Sequence, residues 1–289
     1  MPYRSVLRPG LFAGQIIVVT GGGSGIGRCT AHELAALGAH VVITGRKLEK
    51  LEAVKAEIEA SGGSCECHTF DIREEQPVKD AIATIVARNG RIHGLFNNAG
   101  GQFPADIAAI SQRGFDAVVR NNLTGGFLVA REVYNQSMKD HGGSIVFMAA
   151  DMRNGMPNMG HSGAARAGTV NLAMTMAFEW GHAGVRVNTV SPGWIASSGM
   201  DTYEGDFKRD IPFLKNHVPL GRIGTESEVS SAVCFLLSEG AAFMTGINVC
   251  IDGGVPLGTR NIVLPKGNRS QPYNGFHLAV TPKVLQEGG

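Results

Sequence analysis

Short apolar strands alternate with helical segments along most of this chain, and the first strand ends in a glycine-rich turn. The first strand is predicted at 15–20 (QIIVVT), and the turn after it, 21–27, reads GGGSGIG. A segment with helical spacing follows to Leu37, where Gly38 is placed to end it. This strand–turn–helix unit recurs along the chain, and no other feature of the sequence constrains the fold as strongly.

The later strands are apolar throughout, which indicates a parallel sheet with helices on both faces. The crossover rule then favours a doubly wound, Rossmann-type α/β fold. Nothing marks an interior boundary, so one domain is expected over 1–256. The tail, 257–289, loses periodicity and is predicted to be a surface segment. The predicted strands lie at 15–20, 40–44, just before Asp71, 92–96, 144–148, 185–190 and 247–251.

Composition excludes several classes of protein. Among the 289 residues, 26 Lys and Arg oppose 25 Asp and Glu, and this balance argues against bulk electrostatic binding of nucleic acid or anionic membrane. No apolar run approaches the roughly 18–20 residues that span a bilayer. The five cysteines lack zinc-site spacing, so free thiols and no metal are expected. The first ten residues lack a secretory pattern, so a cytoplasmic location is expected.

The glycine turn predicts a dinucleotide site. Between a strand and a helix the backbone must turn tightly and approach a pyrophosphate, while helix N–H groups point at the phosphates. Gly21, Gly25 and Gly27 stand where this geometry needs glycine, with Ser24 and Ile26 between them. The alternative is a flexible loop.

The end of the second strand favours NADP(H) over NAD(H) as the cofactor. NAD enzymes usually carry a carboxylate there for the ribose 2′-hydroxyl, whereas this chain carries Arg46 and Lys47. Two cations would pair with a 2′-phosphate, although they could also be the solvated start of a helix. After the third strand, Asp71 and Ile72 are placed to contact the adenine, although a helix cap is an equally ordinary role for Asp71.

Six motifs stand in a characteristic order and spacing. They are Thr20-Gly21-x3-Gly25-x-Gly27, Asp71, Asn97-Asn98-Ala99-Gly100, Asn122-Leu123-x-Gly125, Ser191-Pro192-Gly193 and Asp252-Gly253-Gly254. Over about residues 10–256 the chain therefore resembles the short-chain dehydrogenase/reductases. The resemblance implies a seven-stranded parallel sheet in a single domain and assembly as a homotetramer. It also implies that Asn98, Ala99 and Gly100 lie beside the cofactor, and that Pro192, Gly193 and Ile195 lie near the nicotinamide.

The usual catalyst of this family is a serine with a tyrosine and a lysine spaced Y-x-x-x-K. In the matching segment, 160–168 (GHSGAARAG), Ser162 replaces the tyrosine and Arg166 the lysine, and of the expected set only Asn122 remains. A serine hydroxyl is too weak an acid for alcohol–carbonyl exchange near neutral pH. Arg166 can donate to the nicotinamide ribose but, being charged, cannot relay a proton. Ordinary alcohol dehydrogenation is therefore not expected.

A subset of the family tolerates this change. The segment His161–Gly168, with Phe178-Glu179-Trp180, is similar to peroxisomal trans-2-enoyl-CoA reductases and, more loosely, to 2,4-dienoyl-CoA reductases. This resemblance implies an acyl-CoA substrate whose thioester oxygen is bound by Ser162 and Asn122 as it becomes an enolate, with hydride coming from NADPH. The chain ends in Gly288-Gly289 and not in a peroxisomal targeting tripeptide, so import by that route is not expected.

The proton donor of such a reaction is left open by the sequence. The tyrosines that these two groups of reductases carry nearby correspond to Asp151 and Val170 here. The alternatives are His161, Asp151, Tyr203 and water, and histidine is favoured because it titrates nearest to neutral pH. A structural histidine at the entry of the helix is the competing interpretation of His161.

Residues 197–215, with Tyr203, Phe207 and Phe213, resemble the substrate lid of the family, which excludes water from the hydride path. Three functions are compatible with these features. The first is an NADP(H)-dependent enoyl-CoA reductase, the second an oxidoreductase with another substrate, and the third a nucleotide-binding protein that has lost turnover.

Overall fold

A parallel seven-stranded sheet forms the centre of the part of the chain described by the computed structural model, which covers residues 2–257, 263–264, 267 and 269–286. The strands are β1 (Ile16–Thr20), β2 (His40–Gly45), β3 (Ser64–Thr69), β4 (Gly94–Asn97), β5 (Gly143–Met148), β6 (Val185–Pro192), the short β7 (Ile195–Ala196) and β8 (Gly224–Thr225), and β9 (Asn248–Ile251). The sheet runs β3-β2-β1-β4-β5-β6-β9, and β7 pairs with β8 outside it. The predicted seven-stranded, doubly wound fold is confirmed.

Helices cover both faces of this sheet. They are α1 (Gly25–Ala36), α2 (Leu48–Ala60), α3 (Glu75–Asn89), α4 (Gln112–Val119), α5 (Gly125–Val133), α6 (Lys139–His141), α7 (Gly160–Trp180), α8 (Gly205–Asp210), α9 (Glu226–Leu237) and α10 (Lys283–Gln286). The core of one face is shared by α1, α2 and α9, and that of the other by α3, α5 and α7. None of the helices in the described ranges is both long and apolar enough to cross a membrane.

Burial on both faces explains the unbroken apolar runs of the central strands. Ile17, Val18 and Val19 of β1 are fully buried, and β4 is buried along its whole length. The edge strand β9 is only half-buried. A strand covered on both sides has no solvent face for polar residues, so a β-branched run is the local pattern that this fold requires.

The winding of the sheet reverses between β1 and β4. Strand β1 pairs with β2 on one side and with β4 on the other. The chain segments that follow β1 and β4 therefore leave in opposite directions, and a crevice opens between them at the carboxyl ends of the strands. The candidate site lies in this crevice.

The described part of the C-terminal tail packs against its own chain. The Phe276 side chain is 3% exposed, and its ring lies 5.8 Å from that of Tyr3 and 5.0 Å from that of His32. Its backbone N–H donates to Oγ of Ser227 at 3.0 Å. The surface position predicted for the tail is therefore wrong at Phe276, because a single buried aromatic residue anchors a segment that has no periodicity.

A second tail contact involves α10 and the segment predicted to be the lid. Val284 of α10 is buried in an apolar cluster with Met200 and Ile211. Its backbone N–H donates to Oδ1 of Asp201 at 3.1 Å. The tail thus reaches the lid of its own subunit.

The five cysteines are all free thiols. Burial raises the pKa of the Cys29 and Cys234 thiols, which keeps them protonated. Within the described ranges, no three His, Cys, Asp or Glu side chains are grouped so as to hold a metal ion.

Candidate active site

A cleft of about 720 Å³ opens at the carboxyl end of the sheet. Every residue predicted to bind the cofactor lines it except Gly27, which lies behind the wall. The predicted residues that line it are Gly21, Ser24, Gly25, Ile26, Arg46, Lys47, Asp71, Ile72, Asn98, Ala99, Gly100, Arg166, Pro192, Gly193 and Ile195. Positions up to 174 residues apart in the chain are thus brought to one surface.

The floor of the cleft is the glycine turn between β1 and α1. Gly21 and Gly25 have φ angles of +68° and +56°, in the left-handed region that favours glycine. A Cβ at Gly27 would overlap the carbonyl oxygen of Gly21 and lie 2.6 Å from Nδ2 of Asn98. The turn therefore needs glycine at all three positions, and it leaves room for a group to approach the N-terminus of α1.

Hydrogen bonds donated to Thr20 hold the loop after β4 against this turn. Oγ1 of Thr20 accepts from the backbone N–H groups of Asn98 and Ala99, both at 2.9 Å. Nδ2 of Asn98 donates to the carbonyl oxygen of Thr20 at 2.9 Å, and Nδ2 of Asn97 donates to that of Gly126 at 2.7 Å. The motif around Asn97 thus fixes two walls of the cleft.

At the outer end of the cleft lie two cations that make no ion pair with the described residues, and a carboxylate that is already paired. Arg46 and Lys47 are exposed, and none of the ion pairs among the described residues involves them. Asp71 is paired with Arg73, whose Nη2 lies 2.5 Å from Oδ2. Hydrogen bonds from Arg73 hold the pKa of Asp71 below its usual range. The local charge that remains available is positive.

Arg166 brings a buried cation to the inner end of the cleft. Its Nη1 donates to the carbonyl oxygen of Met148 at 2.5 Å, while its buried Nε has no hydrogen-bond partner among the described residues. No carboxylate of the described residues pairs with it, and burial lowers its pKa to about 10. The guanidinium stays charged at neutral pH, with donors available to a ligand.

Ser162 does not line the cleft. Its side chain is completely buried, and Oγ donates to Oε1 of Gln102 at 2.5 Å. Gln102 does line the cleft, and its Nε2 donates to the phenolic oxygen of Tyr203 at 3.1 Å. The hydroxyl at the catalytic tyrosine position is thus connected to the cleft through a side chain that the sequence analysis missed.

Asn122 also lies behind the wall of the cleft, in the π-helical turn Arg120–Thr124. Its Nδ2 donates to the carbonyl oxygens of Gly101 and Val118, at 2.7 and 3.0 Å, and its Oδ1 accepts from the N–H of Gly101 at 3.0 Å. Both ends of the amide are occupied. The residue holds Gly101, which precedes Gln102 in the chain.

Of the other two candidate side chains near α7, His161 is completely buried and Asp151 is half-buried. Nδ1 of His161 accepts from the N–H of Ser162 at 2.9 Å, and its Nε2 is buried without a partner in the described chain. The His161 ring meets that of Phe103 edge-on at 4.5 Å. Burial and the neighbouring Asp252 raise the pKa of Asp151, whose Oδ1 is also buried. Neither His161 nor Asp151 lines the cleft.

The predicted lid forms the apolar wall of the cleft. It consists of a 3₁₀ turn at Ser198–Thr202, the helix α8 and a second 3₁₀ turn at Ile211–His217. The rings of Tyr203 and Phe207 meet edge-on with 5.0 Å between their centroids. The Phe207 ring is tilted against that of Trp194, which precedes this segment, at 6.0 Å. Met200, Phe207 and Leu214 of this segment line the cleft.

Gln102 and Trp194 are among the cleft residues that the sequence analysis missed. Both follow a motif that it did recognise, since Gln102 comes two residues after Asn97–Gly100 and Trp194 directly follows Pro192-Gly193. Position after the carboxyl end of β4 or β6 was the available signal.

The model of a family described as Enoyl-(Acyl carrier protein) reductase matches residues 21–256. The Bacillus subtilis (strain 168) protein named "Probable 2,4-dienoyl-CoA reductase [(2E)-enoyl-CoA-producing]" is 36% identical over 246 residues, which are 83% of this chain and 96% of that protein. A peroxisomal 2,4-dienoyl-CoA reductase of Danio rerio is 35% identical over 265 residues, 90% of this chain and 88% of the relative.

A solved structure is more similar in sequence. The citronellol catabolism dehydrogenase of Pseudomonas aeruginosa PAO1 is 62% identical and superposes with a TM-score of 0.81. The match covers 88% of this chain and all of that one.

Proposed function

Because this chain belongs to the short-chain dehydrogenase/reductase family of nicotinamide-dependent oxidoreductases, we propose that it reduces an activated carbon–carbon double bond with NADPH. The substrate that we propose is an enoyl-CoA thioester, because the Bacillus and Danio relatives are named as reductases of 2,4-dienoyl-CoA, a related unsaturated thioester. One observation carries the proposal. Ser162 stands at the tyrosine position, buried and bound to Gln102, so this position supplies no phenol for alcohol–carbonyl exchange, whereas conjugate reduction depends on stabilising an oxyanion.

The residues around the glycine turn fit NADP(H). Gly21, Ser24 and Gly25 line the cleft at the N-terminus of α1, where backbone N–H groups suit a pyrophosphate. The free cations Arg46 and Lys47 suit a 2′-phosphate. Arg166, with its unpaired buried Nε, would donate to the hydroxyls of the nicotinamide ribose. When bound, the cofactor supplies a hydride.

We assign the polarisation of the thioester oxygen to Gln102, at the end of the cleft near Ser162. Ser162 donates to Oε1 of Gln102, so the orientation of the amide is fixed: one N–H of Nε2 donates to Tyr203, and the other is available to a substrate. Asn122 holds the backbone of Gly101, directly before Gln102. In this proposal Ser162 and Asn122 are positioning residues that act through Gln102, and not direct ligands of the substrate as their resemblance to the reductases implies.

The acyl group is proposed to lie along the lid. Trp194, Phe207 and Leu214 line the cleft there, and Met200 adds a thioether, so the wall is apolar. Such a surface stabilises a hydrocarbon chain by removing it from water. The thioester would then meet Gln102 and Arg166 at the inner end.

Replacing Ser162 by alanine tests this proposal. Without the hydroxyl, Oε1 of Gln102 loses its donor and the amide is no longer held, so we expect kcat to fall about 10- to 100-fold. The dissociation constant of NADPH should not change, because Ser162 does not line the cleft. The measurement is NADPH oxidation at 340 nm against trans-2-enoyl-CoA thioesters of increasing length, repeated with NADH.

The control is Ser61→Ala, which removes an exposed hydroxyl that bonds only to the carbonyl of Glu57. It should leave kcat unchanged. NADPH-specific turnover that falls only in Ser162→Ala supports the mechanism. Tight NADPH binding without turnover of any enoyl thioester rejects enoyl reduction and leaves another substrate or a binding protein without catalysis.

A second candidate function is oxidation or reduction of an isoprenoid alcohol or carbonyl compound. It is favoured by the 62% identity to the citronellol catabolism dehydrogenase and by the aromatic wall at Trp194 and Phe207. NADP⁺ or NAD⁺ reduction in the presence of citronellol discriminates it from the first. Activity with citronellol and none with enoyl thioesters would establish this alternative.

We also propose that the protein is a homotetramer in the cytoplasm. An exposed stripe on α7, formed by Ala164, Ala167, Asn171, Met174 and Phe178, supports assembly, because Phe178 is 90% exposed in the single chain. Analytical ultracentrifugation should give four times the mass of 30.5 kDa. A monomer at micromolar concentration would contradict the assembly.

A further inference from the structure

Gln102 joins three parts of the chain at the inner end of the cleft. It lies in the loop after β4, accepts from Ser162 of α7, and donates to Tyr203 of the lid. Ser162 and Tyr203 are 60 and 101 residues away from it in the sequence. Its side chain therefore connects Ser162, at the position of the family's catalytic tyrosine, with Tyr203, a tyrosine of the lid.

The directions of these hydrogen bonds decide what Tyr203 can do. Since Oε1 of Gln102 accepts from Ser162, its Nε2 is the donor toward Tyr203. The phenolic oxygen of Tyr203 is thus an acceptor in this bond, and among the described residues its hydrogen has no acceptor. Tyr203 lines the cleft, so this hydrogen is available to a bound substrate.

The other acid–base candidates are excluded by position or by charge. His161 and Asp151 do not line the cleft, and the hydroxyl of Ser162 already donates its hydrogen to Oε1 of Gln102. Arg166 does line the cleft, but its guanidinium holds its proton at neutral pH and can only donate hydrogen bonds. Of the candidate side chains, Tyr203 remains, and the hydroxyls of Ser197, Ser198 and Thr202, which also line the cleft, are far weaker acids than a phenol.

Packing fixes the place of this phenol. The Tyr203 ring meets Phe207 edge-on, and both belong to the cluster that contains buried Met200, Ile211 and Val284. Val284 comes from the tail and bonds to Asp201, two residues before Tyr203. The acid is therefore placed by the lid and by the tail that packs on it.

We propose that Tyr203 is the proton donor of the reaction and that Gln102 is the residue that positions it. The inference rests on the proposed reduction of an enoyl thioester. A hydride adds to the β-carbon, and the electron pair of the double bond becomes that of an enolate with its charge on the thioester oxygen. That pair then returns to form the bond between the α-carbon and the proton, as the O–H bond of Tyr203 breaks. The tyrosinate then takes a proton from water, and the products are the saturated thioester and NADP⁺.

Tyr203→Phe tests this assignment in the full chain, with Tyr134→Phe as the matched control. Tyr134 stacks on Trp180 with 4.3 Å between the ring centroids and does not line the cleft. Loss of a general acid is expected to lower kcat of Tyr203→Phe by about 10²–10⁴-fold, with KM and the NADPH dissociation constant nearly unchanged. The control should match the wild type.

Isotope effects separate loss of an acid from loss of packing. With water as the only remaining donor, protonation becomes slower than hydride transfer. The solvent deuterium effect on kcat should therefore increase in Tyr203→Phe, and the effect of NADPH deuterated at C4 should fall toward one. Gln102→Ala releases the phenol and also removes the proposed donor to the thioester oxygen, so it should lower kcat as well. Because the phenol is still present, its solvent effect should lie between those of the wild type and Tyr203→Phe.

The possible outcomes test the assignment of Tyr203 separately from the proposed function. A large loss of kcat with the changed pair of isotope effects supports Tyr203 as the donor. An active wild type whose Tyr203→Phe variant keeps its kcat, or loses it with both isotope effects unchanged, overturns this assignment and leaves the proposed function standing. A wild type that binds NADPH but reduces no enoyl thioester overturns the proposed function and this inference together.

Discussion

Replacing Arg166 by methionine is expected to weaken NADPH binding by about 10²–10⁴-fold while leaving the protein without cofactor at least as stable as the wild type. The guanidinium is buried at the inner end of the cleft and pairs with no carboxylate among the described residues. Two charge-assisted hydrogen bonds to a ligand, at about 1.5–3 kcal/mol each, correspond to that loss of affinity.

The free energy of unfolding of this variant is not expected to fall as its affinity for NADPH does. A buried cation without a counter-ion costs free energy, and burial lowers the pKa of Arg166 to about 10 for this reason. An apolar side chain of similar length removes that cost, and such replacements are often neutral or stabilising. The free energy of unfolding should therefore stay the same or rise, although the carbonyl of Met148 loses one donor.

Fluorescence titration with NADPH and urea unfolding measure the two quantities on the same samples. Arg186→Met is the control with the reverse expectation, because Arg186 donates to the carbonyl oxygens of Leu236, Leu237 and Ser238. That variant should lose stability and keep its affinity for NADPH. If Arg166→Met unfolds more easily and still binds NADPH normally, the arginine is a structural residue and its assignment to the cofactor is wrong.

Phe276→Ala is expected to lower the free energy of unfolding by about 3–5 kcal/mol, the usual cost of removing a buried phenylalanine. The ring is 3% exposed and fills a cluster with Tyr3 and Cys29. The guanidinium group of Arg28 packs over this ring, with its central carbon 5.1 Å from the ring centroid. The alanine leaves a cavity between the tail and the body of the domain.

Urea unfolding of the full chain measures this loss, and Phe243→Ala is the matched control because Phe243 is fully exposed. An exposed substitution should change the free energy of unfolding by no more than about 0.5 kcal/mol. Since Val284 and α10 follow Phe276 in the tail and pack on the lid, Phe276→Ala should also speed proteolytic cleavage of the lid. A loss of less than about 1 kcal/mol would show that the tail is only loosely attached.

The fold was predictable because its signals are local. The buried run of β1 and the left-handed glycines at 21 and 25 are fixed by the residues themselves, since a strand covered on both faces must be apolar and a positive φ favours glycine. The predicted cofactor residues of the glycine turn and at the end of β2 followed from the same rule, since they stand after a strand or at the entry of α1. Those after β4 and β6, and Arg166 of α7, came from the resemblance to the family.

The catalytic end of the cleft was less predictable because it depends on which side chains meet. Ser162 and Asn122 were identified from their resemblance to the reductases, but their partners Gln102 and Gly101 come from a different segment. A polar side chain satisfies whichever group the fold brings within about 3 Å of it, and sequence spacing does not contain that distance.

The sequence by itself determined the doubly wound sheet, the glycine turn, the cations at the end of β2 and the replacement of the tyrosine and lysine by Ser162 and Arg166, since each is a property of residue type at a local position. Only the tertiary structure decided that Ser162 faces Gln102 instead of the cleft, that Tyr203 presents the available phenol, and that the tail anchors through Phe276 to its own chain. These outcomes depend on long-range packing, in which burial and hydrogen-bond satisfaction select one partner among many that the sequence allows.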